Sequence, residues 1–219
     1  MGHELADAMN CTLRVYYNRK EKTKMSNHFF AMHSRMKYIN RWALMRNTVS
    51  ENISEHSNDV AVIAHALAVI KNLRFGGNLN PERAAFLGLY HDMTEIITGD
   101  MPTPVKYYSE DMREAFKEVE DRAGRHLLSM LPDDMAKYYE SAFFKVDEDE
   151  YLWKIVKAAD KISALIKCIE EKNAGNNEFG KALDGTRDSL SKMAMPEVDA
   201  FLEEFLPSFY LSLDEQNEA

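Results

Sequence analysis

Cysteine is nearly absent: the 219 residues include two, Cys11 and Cys168. Two cysteines cannot build a disulfide framework, and neither belongs to a Cys-x-x-Cys pair, so a reducing, cytoplasmic setting is expected. No apolar run approaches the ~20 residues needed to cross a bilayer, which argues against a membrane partner. The first residues, with Glu4 and Asp7, offer no long apolar stretch that reads as a signal peptide. Glycine (9) and proline (6) are sparse, and they fall between periodic segments rather than within them. An excess of positive charge is also missing, since 27 Lys/Arg against 36 Asp/Glu give a formal net charge of -9. That argues against binding a nucleic-acid polymer, which needs a basic face, but not against a small anionic substrate that a few local cations can hold. No segment alternates with a two-residue period, and no internal repeat is visible. What is left is an ordinary globular composition, 45% apolar and 29% charged, in a chain long enough to bury one core without staples.

Residues 1–24 differ from the rest. They hold five Lys/Arg against three acids and show no clear period. They read as a flexible extension, a cloning remnant or translation from an upstream start, with Met25 a sensible beginning for a domain spanning 25–219. The basic run from Arg19 to Lys24 reads as solvated tail.

From Met25 onward apolar residues recur at three- and four-residue steps, the helical period. Phe29, Phe30, Met32, Met36 and Ile39 predict a first helix. Val60, Ile63, Ala64, Leu67 and Ile70 predict a second, with Ser54 as its cap. After a Gly76-Gly77 turn, Asn80-Pro81-Glu82 opens a third: Asn caps, Pro fits the first turn and Glu favours the positive end. Its stripe of Phe86, Leu89, Tyr90, Met93, Ile96 and Ile97 predicts a helix that continues to Gly99. Two prolines stiffen the loop from Gly99 to Pro104. Ser109 opens a charged helix to about Leu131, and residues 133–144 form a shorter helix or loop. Asp147 and Glu150 have capping-box spacing at the head of a long helix through Leu152, Ile155, Val156, Ala159, Ile162, Ile166 and Ile169. Asn173 to Asn177 breaks it, and a last helical region runs from Glu178 to Phe205. The fold class is all-α.

Three polar positions stand out. His91-Asp92 sits among Leu87, Gly88, Leu89, Tyr90, Met93, Ile96 and Ile97, where both side chains must find partners or lose hydration uncompensated. His56 begins a helix that then turns apolar. Asp160 lies in mid-helix beside Ala158 and Ala159, although Asp is a poor residue for a helix interior. Each alone reads more readily as structural. Together they are two imidazoles and two carboxylates on three helices, and neutral His nitrogen with carboxylate oxygen suits Co²⁺, Mn²⁺, Ni²⁺, Zn²⁺ or Fe²⁺. Spacing alone does not establish that the four converge.

The order His56, His91-Asp92, Asp160 resembles the H…HD…D order of the HD-domain metal-dependent phosphohydrolases. Within that superfamily the segments Ile39–Asn47, Glu51–Ser57, Tyr90–Glu95, Thr98–Tyr107, Ala174–Phe179 and Pro207–Glu215 resemble the bacterial 5'-deoxynucleotidases. The likeness covers about Met25 to Glu215; Met101 stands where that pattern has Leu, and residues 1–24 have no counterpart. It implies an HD-domain helical bundle with His56, His91, Asp92 and Asp160 holding one divalent ion per chain in its core, Co²⁺ favoured and Mn²⁺ an alternative. It implies that Arg41 orients the phosphate with its planar fork. It also implies that Glu95, three residues after Asp92, positions or deprotonates the attacking water or passes a proton to the leaving 5'-oxygen. Substrate contacts are implied for Arg41, Trp42, His91, Asp100, Met101, Pro102 and Thr103, with Trp42 beside the sugar and Asp100 on a sugar hydroxyl. The implied reaction is hydrolysis of 2'-deoxyribonucleoside 5'-monophosphates to deoxynucleosides and phosphate, by a homodimer.

Two rivals stay in view. One is another HD phosphohydrolase, acting on a cyclic nucleotide, a guanosine polyphosphate or a nucleoside triphosphate. A longer phosphate chain demands more cations, and only Arg41, Arg46 and Lys106 are expected near the site. The other is a nucleotide-sensing module without turnover, against which the intact ligand set and Glu95 count. His28, His33, His65 and His126 read as ordinary packed or surface histidines, and Cys168 as a buried thiol.

Overall fold

The structure is a computed structural model that describes residues 27–106 and 108–218. The predicted extension 1–24 and Cys11 lie outside them. Among the described residues there is no strand, only an isolated antiparallel bridge between Asn40 and Asn52, so the all-α class holds.

The first predicted helix is a short α1 (Phe29–His33) that tightens into a 3₁₀ turn over Ser34–Tyr38. The long α2 (Ile53–Arg74) starts about two turns before its apolar stripe, which begins at Val60. Asn52, in extended conformation, accepts from the Ser54 and Glu55 N–H groups at 3.0 and 3.1 Å, and Glu55 accepts back from the Asn52 N–H at 3.2 Å. This reciprocal box displaces Ser54 from its expected capping role and places it inside the helix. Asn80 caps α3 (Pro81–Tyr90) as predicted, accepting from the Arg83 N–H at 2.8 Å, with Pro81 in the first turn.

The helix predicted to reach Gly99 does not. It ends at Tyr90, and a separate turn, α4 (Glu95–Thr98), follows and is closed by Gly99 at φ 73°. Between them the backbone winds by three-residue hydrogen bonds: Met93 N–H to Tyr90 C=O at 3.1 Å and Glu95 N–H to Asp92 C=O at 2.9 Å. Tighter winding in mid-helix redirects side chains. Here it falls on His91 and Asp92.

The chain continues through α5 (Thr103–Lys106), α6 (Glu110–Leu128), capped by Ser109, and α7 (Asp133–Phe143). The predicted box of Asp147 with Glu150 does not form. Residues 147–149 make a 3₁₀ turn without a side-chain cap, and Asp149 instead takes the Arg83 guanidinium at 2.5 Å, a stronger charge-assisted bond. The long helix α8 (Glu150–Asn173) follows. The last predicted region splits into α9 (Gly180–Ser191) and α10 (Pro196–Glu204), because Ala194 turns left-handed at φ 50° and Pro196 starts a new helix. A short α11 (Leu213–Asn217) ends the described chain.

The main core lies where α2 packs on α3, α8 and α10, with α9 on the other flank of α8. A smaller cluster of Phe29, Met36, Ile53, Met93, Leu127 and Leu131 lies beside it. The α2–α3 crossing depends on Gly88, since a Cβ there would come within 2.8 Å of the Ala61 backbone. That close approach brings the end of α3, and with it His91, against the first turns of α2.

Candidate active site

His56 stands in the first turn of α2, fully buried. Its Nδ1 lies 3.0 Å from Ser163 Oγ of α8. Its Nε2 faces two carboxylates, Asp160 Oδ1 at 3.2 Å and Asp92 Oδ2 at 3.5 Å. At the end of α3, His91 Nδ1 donates to the Gly88 carbonyl at 2.8 Å, which fixes the tautomer and leaves Nε2 as a lone pair 3.1 Å from Asp92 Oδ2. Both Nε2 atoms are buried, and neither makes a hydrogen bond of acceptable geometry. Two orphaned imidazole nitrogens on one point are costly unless a cation takes them. One donor atom each from His56, His91 and Asp92 lies within 4.8 Å of the others, so the donor set fits a divalent transition ion. Asp160 is adjacent to His56 but outside this set of three, with 40% of its side chain exposed.

The electrostatics suit that occupant. Burial, reinforced by Arg41, pushes His56 below its ordinary value, so the ring stays neutral as a ligand must. Burial also opposes charging His91, but Asp92 outweighs it and raises His91, so without an ion its Nε2 is drawn toward holding a proton against Asp92, which a bound metal would displace. Burial disfavours ionised Asp92 and Asp160, yet the histidines beside them hold both below the usual carboxylate range. Glu95, at the start of α4, behaves oppositely: burial, then the charges of Asp92 and Asp100, push it up to about 10, and its Oε2 has no partner. A bound dication would be the largest local charge and would draw that proton off more easily.

Arg41 and Trp42 sit on a loop whose ends are tied by Arg41 N–H to Glu51 C=O and Ile53 N–H to Ile39 C=O, each 2.9 Å. Glu51 holds both side chains: Oε1 accepts from Arg41 Nη1 at 3.2 Å and Oε2 from Trp42 Nε1 at 2.9 Å. Trp42 is left-handed at φ 58°, an unfavourable state for a bulky residue that its surroundings must enforce. Asn47 Nδ2 donates to the Trp42 carbonyl at 3.2 Å, and the indole packs on Phe179 with centroids 5.3 Å apart. Further along, Glu171 of α8 accepts from the Thr48 and Val49 N–H groups at 2.9 and 3.2 Å and pairs with the buried Lys167. Arg41 also reaches His56 Nδ1 at 2.5 Å and Asp160 at 3.8 Å. The Ser163 contact suits a His56 with Nδ1–H, whereas accepting from Arg41 requires the other tautomer.

A cavity of about 520 Å³, within the usual small-molecule range, is lined by Arg41, Trp42, Asp100, Met101, Pro102 and Asp160. Burial raises the Asp100 carboxyl, although Arg41 and the Trp42 backbone N–H favour its ionised form. The Thr103 side chain lies outside what is described. Three contributors carry no role in the sequence reading: Glu51, although its segment is among those quoted above; Ser163; and Lys161, which lines the cavity. Of the cations expected nearby, Arg46 is exposed and pairs with Glu178 at 2.6 Å, and Lys106 pairs with Glu120 at 2.8 Å. Neither lines the cavity. A second groove of about 600 Å³ beside Leu165, Arg187 and Tyr210 holds none of the titratable cluster.

A helical bundle that gathers an H…HD…D set in this way is the architecture of an HD-domain phosphohydrolase. The backbone matches the HD-domain phosphohydrolase of Listeria innocua with a TM-score of 0.73 and 25% identity, covering 87% of this chain and 92% of that one. The chain belongs to the 5'-deoxynucleotidase YfbR-like family, which it matches over residues 28–209. It is 50% identical to the 5'-deoxynucleotidase of Erwinia tasmaniensis over 86% of this chain and 96% of that one. It is 49% identical to the 5'-deoxynucleotidase YfbR of Salmonella newport over 86% and 95%. The cyanophage S-2L HD phosphohydrolase, solved bound to dA and one catalytic Zn²⁺ ion, shares the fold at 18% identity with a TM-score of 0.57, over 82% and 95%.

Proposed function

We propose that the protein is a metal-dependent phosphatase that hydrolyses 2'-deoxyribonucleoside 5'-monophosphates to deoxynucleosides and phosphate. The observation that carries this reading is the pair of buried, unpartnered imidazole nitrogens facing Asp92 and Asp160, with Arg41 and a substrate-sized cavity beside them. Relatives half identical over nearly their whole length are named for the same activity, and a more distant HD phosphohydrolase binds dA and catalytic zinc.

In this reading His56, His91, Asp92 and Asp160 hold one dication, with Co²⁺ favoured and Mn²⁺ an alternative. When bound, the ion supplies Lewis acidity toward water and phosphoryl oxygen. His56 with its Nδ1–H on Ser163 presents Nε2 and no longer accepts from Arg41, whose fork is then shared between Glu51 and the phosphate. Glu95 takes the proton of the attacking water or gives one to the leaving 5'-oxygen as the phosphorus–oxygen bond breaks. His91 borders the phosphate. Trp42 and the Asp100–Thr103 loop enclose the sugar, and a ribose 2'-hydroxyl there would clash or lose its hydrogen bonds. The active form is a homodimer in the cytoplasm.

The test is phosphate release from deoxynucleoside and ribonucleoside monophosphates, cyclic nucleotides, guanosine polyphosphates and triphosphates, with and without a chelator. Metal-dependent release confined to deoxynucleoside 5'-monophosphates supports the reading. Release from the longer or cyclic substrates alone, or tight nucleotide binding without release, assigns the site to another HD phosphohydrolase or to a sensor.

A further inference from the structure

Lys161 lines the same cavity yet has no place in that chemistry. Among the described residues its ammonium makes no hydrogen bond or ion pair. An uncommitted cation facing a substrate cavity is a specificity element in search of an acceptor. Its position says which part of a nucleotide it meets. Consecutive residues on a helix diverge by about 100°, so Lys161 does not share the direction of Asp160, which faces His56. Lys161 and Ala164, three residues apart on α8, line the cavity together with Gly185, Thr186 and Ser189 of α9. Gly185 sits inside a helix, where glycine costs roughly 0.5–1 kcal/mol relative to alanine. No close approach explains it, because a Cβ there would meet nothing within 4 Å. The α9 side of the cavity is thus lined by a residue with no packing reason to be small.

We propose that Lys161 is a specificity-determining residue whose ammonium, with the Thr186 hydroxyl on the α9 side of the cavity, reads the carbonyl edge of the substrate's nucleobase; the Ser189 hydroxyl is already spent on the Gly185 carbonyl at 2.9 Å. This rests on the deoxynucleotidase reading, in which the phosphate occupies the Arg41 and His56 end and the base extends toward α9. Lysine donates and cannot accept. Guanine O6 and thymine O4 are acceptors, whereas adenine and cytosine present amino donors at the corresponding edge. Lys161 therefore favours dGMP and dTMP over dAMP and dCMP, a division that cuts across base size.

The experiment measures kcat and KM for all four deoxynucleoside monophosphates with the metal-loaded full chain as wild type, Lys161→Met, Lys161→Arg and Gly185→Leu, after helical CD confirms that each is folded. Lys161→Met should lower kcat/KM for dGMP and dTMP about tenfold more than for dAMP and dCMP, mainly through KM, in line with losing a charged hydrogen bond at a partly wet site. Lys161→Arg should restore most of the difference. Gly185→Leu should sort the panel by size instead, with purines losing more than pyrimidines. Equal losses across all four bases in Lys161→Met would mean that the ammonium serves the phosphate or the fold, and no change would mean that it meets no substrate; either overturns the proposal. Equal losses in Gly185→Leu would remove α9 from the base wall and overturn it as well. A wild type that hydrolyses none of the four is a separate failure, of the deoxynucleotidase reading itself.

Discussion

Replacing Glu51 with alanine probes the device that presents Arg41 and Trp42 to the cavity. The carboxylate makes two side-chain hydrogen bonds, to Arg41 at 3.2 Å and to Trp42 Nε1 at 2.9 Å. The Arg41 and Glu51 side chains are each only 12% exposed. Breaking a fully buried pair by removing one partner costs about 3–5 kcal/mol, and a hydrogen bond to a charged group about 1.5–3 kcal/mol. Two features reduce the loss here. Arg41 keeps Asp160 at 3.8 Å, and Trp42, released from its left-handed backbone, recovers part of a strain of order 1–3 kcal/mol. The expected net loss is therefore about 2 kcal/mol, in the middle of the range for single substitutions. Glu51→Gln keeps an acceptor for Trp42 but not the charge for Arg41, and should lose about half as much. Urea denaturation at neutral pH measures both, with an unchanged m-value showing that only stability moved. Discrimination between dAMP and AMP should fall in step, because Trp42 is no longer held. An alanine variant within ~0.5 kcal/mol of wild type, with selectivity intact, would refute the clamp.

Other outcomes follow from the same geometry. Glu95→Gln should lose at least a hundredfold in kcat while still binding metal and nucleotide, since Glu95 is not proposed as a ligand; equilibrium binding beside single-turnover rates checks this. Trp42→Ala should lose discrimination between dAMP and AMP more than it loses phosphate binding, with wild type favouring the deoxy sugar by roughly 30- to 150-fold if the 2'-hydroxyl costs ~2–3 kcal/mol. Preserved selectivity would move the discriminating contact to Asp100. The Glu171 carboxyl is opposed by burial but held far below its ordinary value by Lys167, Asn176 and the Thr48 N–H. Its stabilisation is therefore complete above the unfolded value of about 4.3 and is lost as pH falls below it. Glu171→Gln should remove that part of the acid limb from a plot of stability against pH; an identical limb would show that the group does not contribute.

Much of the scaffold is legible in the residues. The apolar periods of α2, α3 and α8 and the Asn80-Pro81 start appear where the pattern puts them, because each is set within a few neighbouring side chains. The break after Tyr90 is not legible. Met93, Ile96 and Ile97 continue the apolar stripe, and only the tertiary demand on His91 and Asp92 tightens the backbone there. The true cap of α2 was available in the spacing of Asn52 and Glu55, but Ser54 is an equally good local candidate, and the choice depends on how the preceding loop closes. Glu51 meets Arg41 and Trp42 through a left-handed tryptophan that no propensity favours. Ser163 and Lys161 acquire roles only once it is known which face of α8 meets α2 and which meets α9. Residue types mark what could do chemistry; their convergence is a property of the packing.

The central claim is that one dication, held by His56, His91, Asp92 and Asp160, is required for phosphate release from a deoxynucleoside 5'-monophosphate. The direct measurement starts from chelated protein and adds Co²⁺ in steps, recording bound metal and phosphate release from dAMP together, in wild type and Asp160→Ala. Activity should be absent at the start, rise in proportion to bound metal and level off at one equivalent per chain, while Asp160→Ala binds less metal and stays inactive with its helical CD intact. Full activity in the chelated protein, or an Asp160→Ala variant that binds one equivalent and turns over like wild type, would contradict the account.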